Sequence, residues 1–137
     1  MAISYYGVNL PIRLFLGNGG KMKIIHYQGV EEKKYPADQA KGASGRVVIG
    51  KADGAQNFCM RVFEISAGGI TGKHAHGWEH EVFVHTGNGA ILRNGSWAPL
   101  STGSVVFIPG NEEHQLKNTG EGPFVFVCVI PSGPPEL

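Results

Sequence analysis

The sequence predicts an all-β fold of the sandwich or barrel type, and three observations lead to this prediction. Short runs rich in β-branched and aromatic residues alternate with turn residues, a pattern typical of closely spaced strands. No window of helical length shows a sustained apolar period of about 3.6 residues. Asn94-Gly95 lies between two such runs, and this pair favours a type I′ hairpin because both central residues need a positive φ.

The strand prediction follows the apolar runs and the turns between them. The predicted strands are Gly45–Ile49, Phe58–Ser66, His80–Thr86, Ala90–Arg93, Ser96–Pro99, Ser104–Ile108, His114–Asn118 and Phe124–Ile130. The predicted turns include Ala67-Gly68-Gly69, Gly87-Asn88-Gly89 and Gly120-Glu121-Gly122. The proline-rich tail Pro131–Leu137 cannot continue a strand ladder.

Side-chain alternation indicates which strand faces are buried. In Phe58–Ser66 it places Cys59, Arg61, Phe63 and Ile65 on one face. Neither face of this strand is purely polar, and every residue of Phe124–Ile130 is apolar. We therefore expect both faces to be covered, the second by a dimer partner or by the N-terminal residues.

Length and charge restrict the function classes. The chain has 137 residues, a formal net charge of +1 and 17% charged residues, which predicts one domain and gives no case for binding nucleic acid or an anionic membrane. No apolar run is long enough to span a membrane, and no secretory signal is evident. Met22-Lys23-Ile24-Ile25 is typical of a protein start, so we divide the chain into an N-terminal extension, residues 1–21, and a single domain, residues 22–137.

Cys59 and Cys128 each lie inside an apolar run. Free, buried thiols in a reducing compartment, the cytoplasm, are the favoured interpretation, and a disulfide remains open.

Four of the six histidines form a predicted metal site. His74 and His76 point to the same side if they lie in a strand, and His80 follows after a short bend. His114 comes after a turn in which Asn111 can adopt a positive φ. Imidazole is the commonest protein metal ligand, so these four residues are predicted to bind one ion. His26 and His85 are interpreted as structural.

This histidine pattern resembles the two sequence motifs of the cupins. The first motif is Gly, five residues, His-x-His, three or four residues, Glu, six residues and Gly. It is matched here by Gly68, His74, His76 and Gly87, with His80 at the glutamate position. The second motif is Gly, five residues, Pro-x-Gly, two residues, His, three residues and Asn. It is matched by Gly103, Pro109, His114 and Asn118, with Asn111 at the second glycine.

The chain is most similar to small single-domain cupins with a four-histidine manganese site. The resemblance implies a double-stranded β-helix of jelly-roll type, commonly a homodimer, with two coordination positions left for water or ligand. It implies a divalent metal, foremost manganese, with iron, nickel or zinc as alternatives, and oxygen-dependent chemistry on a small organic molecule. Replacement of the glutamate ligand puts in doubt any transfer of chemistry from glutamate-containing cupins.

Glu81 remains an alternative to His80 as the ligand at this position. Glu81 fits the longer motif spacing, but His80 and Glu81 face opposite ways on a strand, so only one of them can meet His74 and His76. The distance to Gly87 favours His80. Glu79 or Glu81 can instead orient a histidine ring.

The remaining pocket residues are predicted from strand alternation, from nearness to the histidines or from the resemblance itself. Arg61 shares an otherwise apolar face, so we place it at the pocket mouth as a candidate catalytic residue able to attract a carboxylate; a salt bridge elsewhere is the alternative. Phe126 and Cys128 resemble pocket-lining positions of these cupins, with ordinary core packing as the competing interpretation. Ile70 and Trp78 are candidate pocket residues because they lie near the histidine segment, and dimer or core packing is the alternative for Trp78.

Three functions remain open at this point. The first is a metal-dependent oxygenase or related oxidoreductase. The second is a lyase, isomerase or hydrolase that uses the metal as a Lewis acid. The third is a non-catalytic binding protein. A substrate-sized cavity beside an open metal site favours the enzymes, whereas a filled barrel favours the third.

Overall fold

A computed structural model describes residues 21–137 in full, together with the backbone of two short N-terminal strands. These strands, β1 (Ser4–Tyr5) and β2 (Val8–Asn9), pair with each other in antiparallel fashion. The other residues of the segment 1–20 lie outside the described residues. The role of the extension as an added strand therefore stays a prediction.

The other strands follow the predicted order closely. They are β3 (Lys33–Lys34), β4 (Lys41–Ile49), β5 (Phe58–Ile70), β6 (His80–Thr86), β7 (Asn88–Arg93), β8 (Ser96–Ser101), β9 (Val105–Ile108), β10 (Leu116–Asn118) and β11 (Phe124–Pro131). Two short 3₁₀ turns cover Tyr27–Gly29 and Lys51–Asp53. The β6 strand has the bounds that the sequence predicted, and β4, β5 and β7 to β11 each differ from their predictions by one to four residues at one end. Strand β3 was not predicted.

These strands form one curled antiparallel sheet within the described residues. The order is β8-β7-β10-β5-β11-β6-β9, with β4 beside β5 and β3 beside β4. Strand β5, 13 residues long, pairs with β4, β10 and β11, so the sheet curls around it. The prediction of an all-β fold is confirmed.

The core occupies the inner face of the curled sheet. The alternation predicted for β5 is confirmed, because Cys59 and Ile65 are buried on the inner face while Phe58 and Met60 of the other face are exposed. The buried core residues are Ala43, Cys59, Ile65, Val82, Val84, Ile91, Ile108, Leu116, Phe124, Phe126, Cys128 and Ile130. Burial of this much apolar surface is the main favourable contribution to folding. Both cysteines are free and buried, as the sequence favoured.

A second, smaller cluster covers part of the outer face. Val48, Val62 and Val125 are buried there against Tyr27 and Val30. The chain around the first 3₁₀ turn therefore supplies part of the second cover that the two-sided apolar pattern of β5 and β11 requires.

One predicted turn is wrong and another is confirmed. Ala67-Gly68-Gly69 does not end its strand, because β5 continues to Ile70. Gly68 has a φ of +74°, which glycine tolerates inside an irregular strand as well as in a turn. Asn94 and Gly95 have φ values of +49° and +76°, as a type I′ hairpin requires.

The outer face of β6 and β9 carries exposed apolar side chains. Phe83 pairs with Val105 and Glu81 with Phe107, and the exposed fractions of Phe83, Val105 and Phe107 are 49%, 77% and 60%. The expected homodimer stays a prediction.

Among the described residues, no helix has the length and hydrophobicity needed to cross a membrane.

Candidate metal centre

The four predicted histidines converge on one point. Each of His74, His76, His80 and His114 offers a ligand atom, and these atoms lie within 4.8 Å of one another. His74 and His114 are joined by an isolated antiparallel bridge, with N–H···O distances of 3.2 and 3.0 Å. The bridge holds two ligands from distant parts of the chain side by side.

The turn after β9 fixes His76 against His114. The Asn111 N–H donates to the His76 carbonyl at 2.6 Å, and Asn111 has a φ of +66°. A Cβ at Gly110 would lie 2.5 Å from the Gly77 oxygen, so glycine permits the close approach of the two loops. Asn111 thus adopts the left-handed conformation expected at the second motif glycine.

His80 begins β6 opposite Ile108 and is 7% exposed. Glu81 points to the exposed outer face beside Phe107, and Glu79 is also exposed. Neither glutamate belongs to the histidine cluster. The geometry therefore favours His80 over Glu81 at this position, as strand alternation predicted.

The orientation of three of the rings leaves the Nε2 atom of each available to a metal. The Nδ1 atoms of His74, His76 and His114 lie 3.0, 2.9 and 2.8 Å from main-chain carbonyl oxygens of Gly72, Trp78 and Glu112. A carbonyl only accepts, so each Nδ1 carries the proton and each Nε2 of the neutral ring has a free lone pair. This second hydrogen bond is the usual support of a metal-binding histidine.

The Nε2 atoms themselves fit a cation between them. The Nε2 atoms of His76 and His80 are 2.7 Å apart, and the buried Nε2 of His114 has no hydrogen-bond partner among the described residues. Buried polar atoms are rarely left unsatisfied. The donor set therefore fits a divalent metal ion that these four residues would hold.

Burial favours the neutral form of His76, His80 and His114. Burial, reinforced by the Arg61 guanidinium and the other rings, lowers the pKa of His80 from 6.5 to about 3. Burial also lowers the pKa of His76 and of His114. Neutral imidazole is the form that binds metal, so these rings are ready to act as ligands at neutral pH.

A cavity of about 500 Å³ reaches all four histidines. This volume is typical of small-molecule sites. The predicted pocket residues Trp78, Phe126 and Cys128 line it, and the Trp78 ring stacks on His76 with centroids 3.9 Å apart. Ile70 is not among the lining residues, so its prediction is wrong. The cause is the continuation of β5, which holds Ile70 in the ladder between Lys41 and Lys117.

Arg61 lies on the cavity wall but not at its mouth. The side chain is directed inward from β5, and the residue is 7% exposed. Its Nη2 lies 3.1 Å from His80 Nδ1 and 2.9 Å from Cys128 Sγ. Its guanidinium also lies 4.9 Å from the ring centroid of Phe63. The predicted mouth position is wrong because β5 lies inside the sheet, where inward side chains are buried.

Several lining residues were not singled out from the sequence. They are Tyr35, Gln39, Ala40, Ala43, Phe63, Thr71, Gly72, Ala75, Val82, Ile108, Leu116, Pro135 and Leu137. Phe63 shares the inward face with Arg61, so alternation could have found it. The tail residues Pro135 and Leu137 carry no sequence signal for this role. His26 and His85 lie outside the cluster, and each has an aromatic contact with Tyr27.

The remaining motif residues have conformations that explain their identity. Gly68, Gly87 and Gly103 have φ values of +74°, +91° and +88°, which favour glycine. The amide of Asn118 donates to the carbonyls of Ile65 and Gly122, each at 2.8 Å. Asn118 thereby ties β10 to β5 and to the turn before β11.

Comparison with known proteins agrees with this fold. The profile of the cupin domain family (Cupin_2) matches residues 61–130. The structure of the polyketide cyclase RemF from Streptomyces resistomycificus is 31% identical, with a TM-score of 0.78, over 84% of this chain and 83% of that chain. A cupin 2 conserved barrel domain protein from Rhodopseudomonas palustris is 28% identical, with a TM-score of 0.67, over 77% and 73% of the two chains.

A shorter similarity links the chain to a glucose-6-phosphate isomerase from Thermococcus onnurineus (strain NA1). The two are 38% identical over 39 residues, which is 28% of this chain and 21% of the isomerase. The match thus spans about a fifth of the length of that curated relative. The family profile, the long match to RemF and the jelly-roll sheet together show that this chain belongs to the cupin family.

Proposed function

We propose that this cupin is a metal-dependent enzyme that uses a divalent ion as a Lewis acid on a carbonyl group of a small organic molecule. The observation that carries the proposal is the convergence of four imidazole ligands on the wall of a cavity of about 500 Å³. A ligand set of this kind gives the ion no compensating negative charge. A bound ion would therefore supply strong polarisation of a carbonyl oxygen or a lowered pKa of bound water.

Access to the ligands supports an open site. A structural zinc site is closed by four protein ligands and has no position for substrate. Here all four histidines line the cavity, and His74 is exposed while His80 and His114 are buried. A small molecule in the cavity can therefore approach the point on which the ligands converge.

The surrounding wall would orient the substrate and exclude water. Phe63 and Phe126 stack with ring centroids 5.5 Å apart, and Val82 and Ile108 add aliphatic surface. An apolar wall lowers the local dielectric constant, so electrostatic interactions within the site become stronger. No aspartate or glutamate is among the described lining residues, so the wall offers no carboxylate as a proton acceptor.

The relatives favour reactions without net oxidation. The long structural match is to a cyclase, and the short curated match is to an isomerase. An isomerisation has no net redox change, and ring closure by condensation requires none. We therefore place Lewis-acid chemistry ahead of the oxygen-dependent chemistry that the sequence resemblance implied. We propose manganese as the ion on that resemblance, with iron, nickel and zinc as alternatives.

The experiment is hydrogen–deuterium exchange at the carbon next to the carbonyl of small neutral and anionic ketones, followed by NMR in D₂O. The proton removed from carbon would pass to solvent water and a deuteron would return from D₂O, so exchange should be faster with the metal-loaded protein and should consume no oxygen. Metal-stripped protein and His80→Ala should not accelerate exchange. His85→Ala is the matched control, since His85 is on the same strand but outside the cluster. Turnover that consumes oxygen would instead support an oxygenase, and metal-independent exchange would contradict the proposal.

A further inference from the structure

The buried guanidinium of Arg61 is held by groups that carry no counter-charge. Nη2 contacts His80 and Cys128, and Nη1 donates to the main-chain oxygen of Glu136 at 3.4 Å. This last distance is long for an N–H···O hydrogen bond, and Nε has no partner among the described residues. The guanidinium is therefore positioned but incompletely satisfied.

No carboxylate neutralises Arg61 in the part of the chain that the structure describes. The ion pairs found there join Lys23 to Asp53, Arg46 to Glu32 and Lys73 to Glu113. The Glu136 carboxylate accepts instead from the Lys51 N–H at 2.6 Å. A buried cation without an anion is unfavourable, so the site is suited to receive one.

The same cavity would hold a second positive charge. Four uncharged imidazoles leave a bound divalent ion with its full charge, and Arg61 contacts the Nδ1 side of one of those imidazoles. The described lining residues include no acidic side chain. An anion in this cavity would thus meet favourable potential from both cations, and no acidic side chain of the described lining residues would repel it.

We propose that Arg61 binds a carboxylate of the substrate, so that the enzyme acts on small oxo-carboxylates. The planar guanidinium matches a carboxylate in shape and charge. Arg61 is the one arginine among the described lining residues and no lysine accompanies it, which suits a monoanion better than a phosphate, since a phosphate usually takes several cationic donors. The assignment of the ketone to the histidine centre rests on the proposed function. Binding of the carboxylate by Arg61 does not depend on it.

The test is calorimetric titration with three probes, pyruvate, acetoacetate and levulinate, and with the neutral amide of each. These acids separate the ketone and the carboxylate by different lengths. At least one acid should bind about ten to one hundred times more tightly than its amide, as expected for a partly buried charge-assisted pair. Arg61→Met should remove this preference, and Arg61→Lys should keep part of it because the charge remains. Metal content and circular dichroism of each variant show whether site and fold are intact.

The outcomes separate this inference from the proposed function. Acid preference in metal-free wild-type protein, lost in folded Arg61→Met, supports the arginine site even if metal-loaded protein fails to exchange ketone hydrogens. Equal binding of acids and amides, absence of binding by all three acids, or full preference in Arg61→Met would overturn it. Dihydroxyacetone phosphate is the comparison anion, and tight binding of this phosphate with no binding of the acids would also overturn the carboxylate assignment. If Arg61→Met does not fold, the comparison of acid and amide binding by wild type and by Arg61→Lys still tests whether Arg61 binds the carboxylate.

Discussion

Three of the clustered histidines are held by the main chain, whereas His80 is held by side chains. The Nδ1 atoms of His74, His76 and His114 lie against carbonyl oxygens within two residues of their own position. The Nδ1 of His80 instead lies 3.1 Å from Arg61 Nη2 and 3.1 Å from Cys128 Sγ. Main-chain support survives most substitutions, while the support of His80 depends on two particular residues.

This difference gives His80 a separate role in the centre. A guanidinium donates only, so Cys128 Sγ is the group beside His80 that can accept a proton from Nδ1 when Nε2 binds metal. His74, His76 and His114 are fixed by local backbone geometry. His80 is the ligand whose basicity the protein can adjust through neighbouring side chains.

Loss of a ligand should have the largest effect. His80→Ala should weaken metal binding by more than the roughly 100-fold that loss of a supporting hydrogen-bond partner can cost. Glu81→Ala should leave binding unchanged, because Glu81 faces outward beside Phe107. Competition with a chelator of known affinity measures both. A larger loss in Glu81→Ala than in His80→Ala would restore the glutamate as ligand.

The free energy of unfolding of the metal-free protein should decrease when the pH is lowered, because His80 is buried in its neutral form. Its pKa is lowered from 6.5 to about 3, so the unfolded state binds more protons between these values. The free energy of unfolding should therefore decrease as the pH falls from about 6.5 towards 3, by on the order of several kcal/mol. Urea unfolding of chelator-treated protein at several pH values measures this. His80→Gln should make the dependence shallower, and an unchanged slope in that variant would contradict the assignment.

Removal of the Cys128 thiol should lower the affinity for the metal, whereas removal of the Cys59 thiol should leave that affinity unchanged. Both residues are free and buried, so either change to alanine should cost about 1–2 kcal/mol of stability through lost packing. Cys128→Ala should also lower metal affinity by about tenfold, because His80 loses its proton acceptor. Chelator competition and urea unfolding of both variants are the measurements. Equal metal affinity in the two variants would show that Cys128 does not support His80.

A substitution near a main-chain-supported ligand should have the smallest effect. Trp78→Leu removes the ring that stacks on His76 but keeps the Trp78 carbonyl that accepts from His76 Nδ1. Metal affinity should change by less than about threefold, well below the effect of losing a supporting partner. A loss as large as that of Cys128→Ala in the same competition assay would contradict the distinction between the two kinds of support.

The sequence predicted those features that depend on local pattern. The spacing of the histidines and the period-2 alternation around His80 were sufficient to place the cluster and to prefer His80 over Glu81. The alternation of β5 also placed Arg61 on the inner face. Its depth was not predicted, because the position of a strand within a sheet depends on long-range pairing with β4, β10 and β11.

Features that depend on irregular backbone or tail packing were missed. The glycine pair before Ile70 was interpreted as a turn, since positive φ serves a turn or an irregular strand equally well. Leu137 lines the cavity from the tail, where a Cβ added at Gly45 would lie 2.7 Å from its side chain. No periodic pattern marks a residue that packs in this way.

The central claim is that the four histidines together hold one metal ion with part of its coordination open. Elemental analysis combined with X-ray absorption spectroscopy of natively purified protein tests it most directly. The account predicts about one ion per chain, bound by imidazole nitrogen atoms of all four residues together with exchangeable light-atom ligands. A protein that binds no stoichiometric metal, or an ion closed by four protein ligands with no exchangeable position, would contradict it.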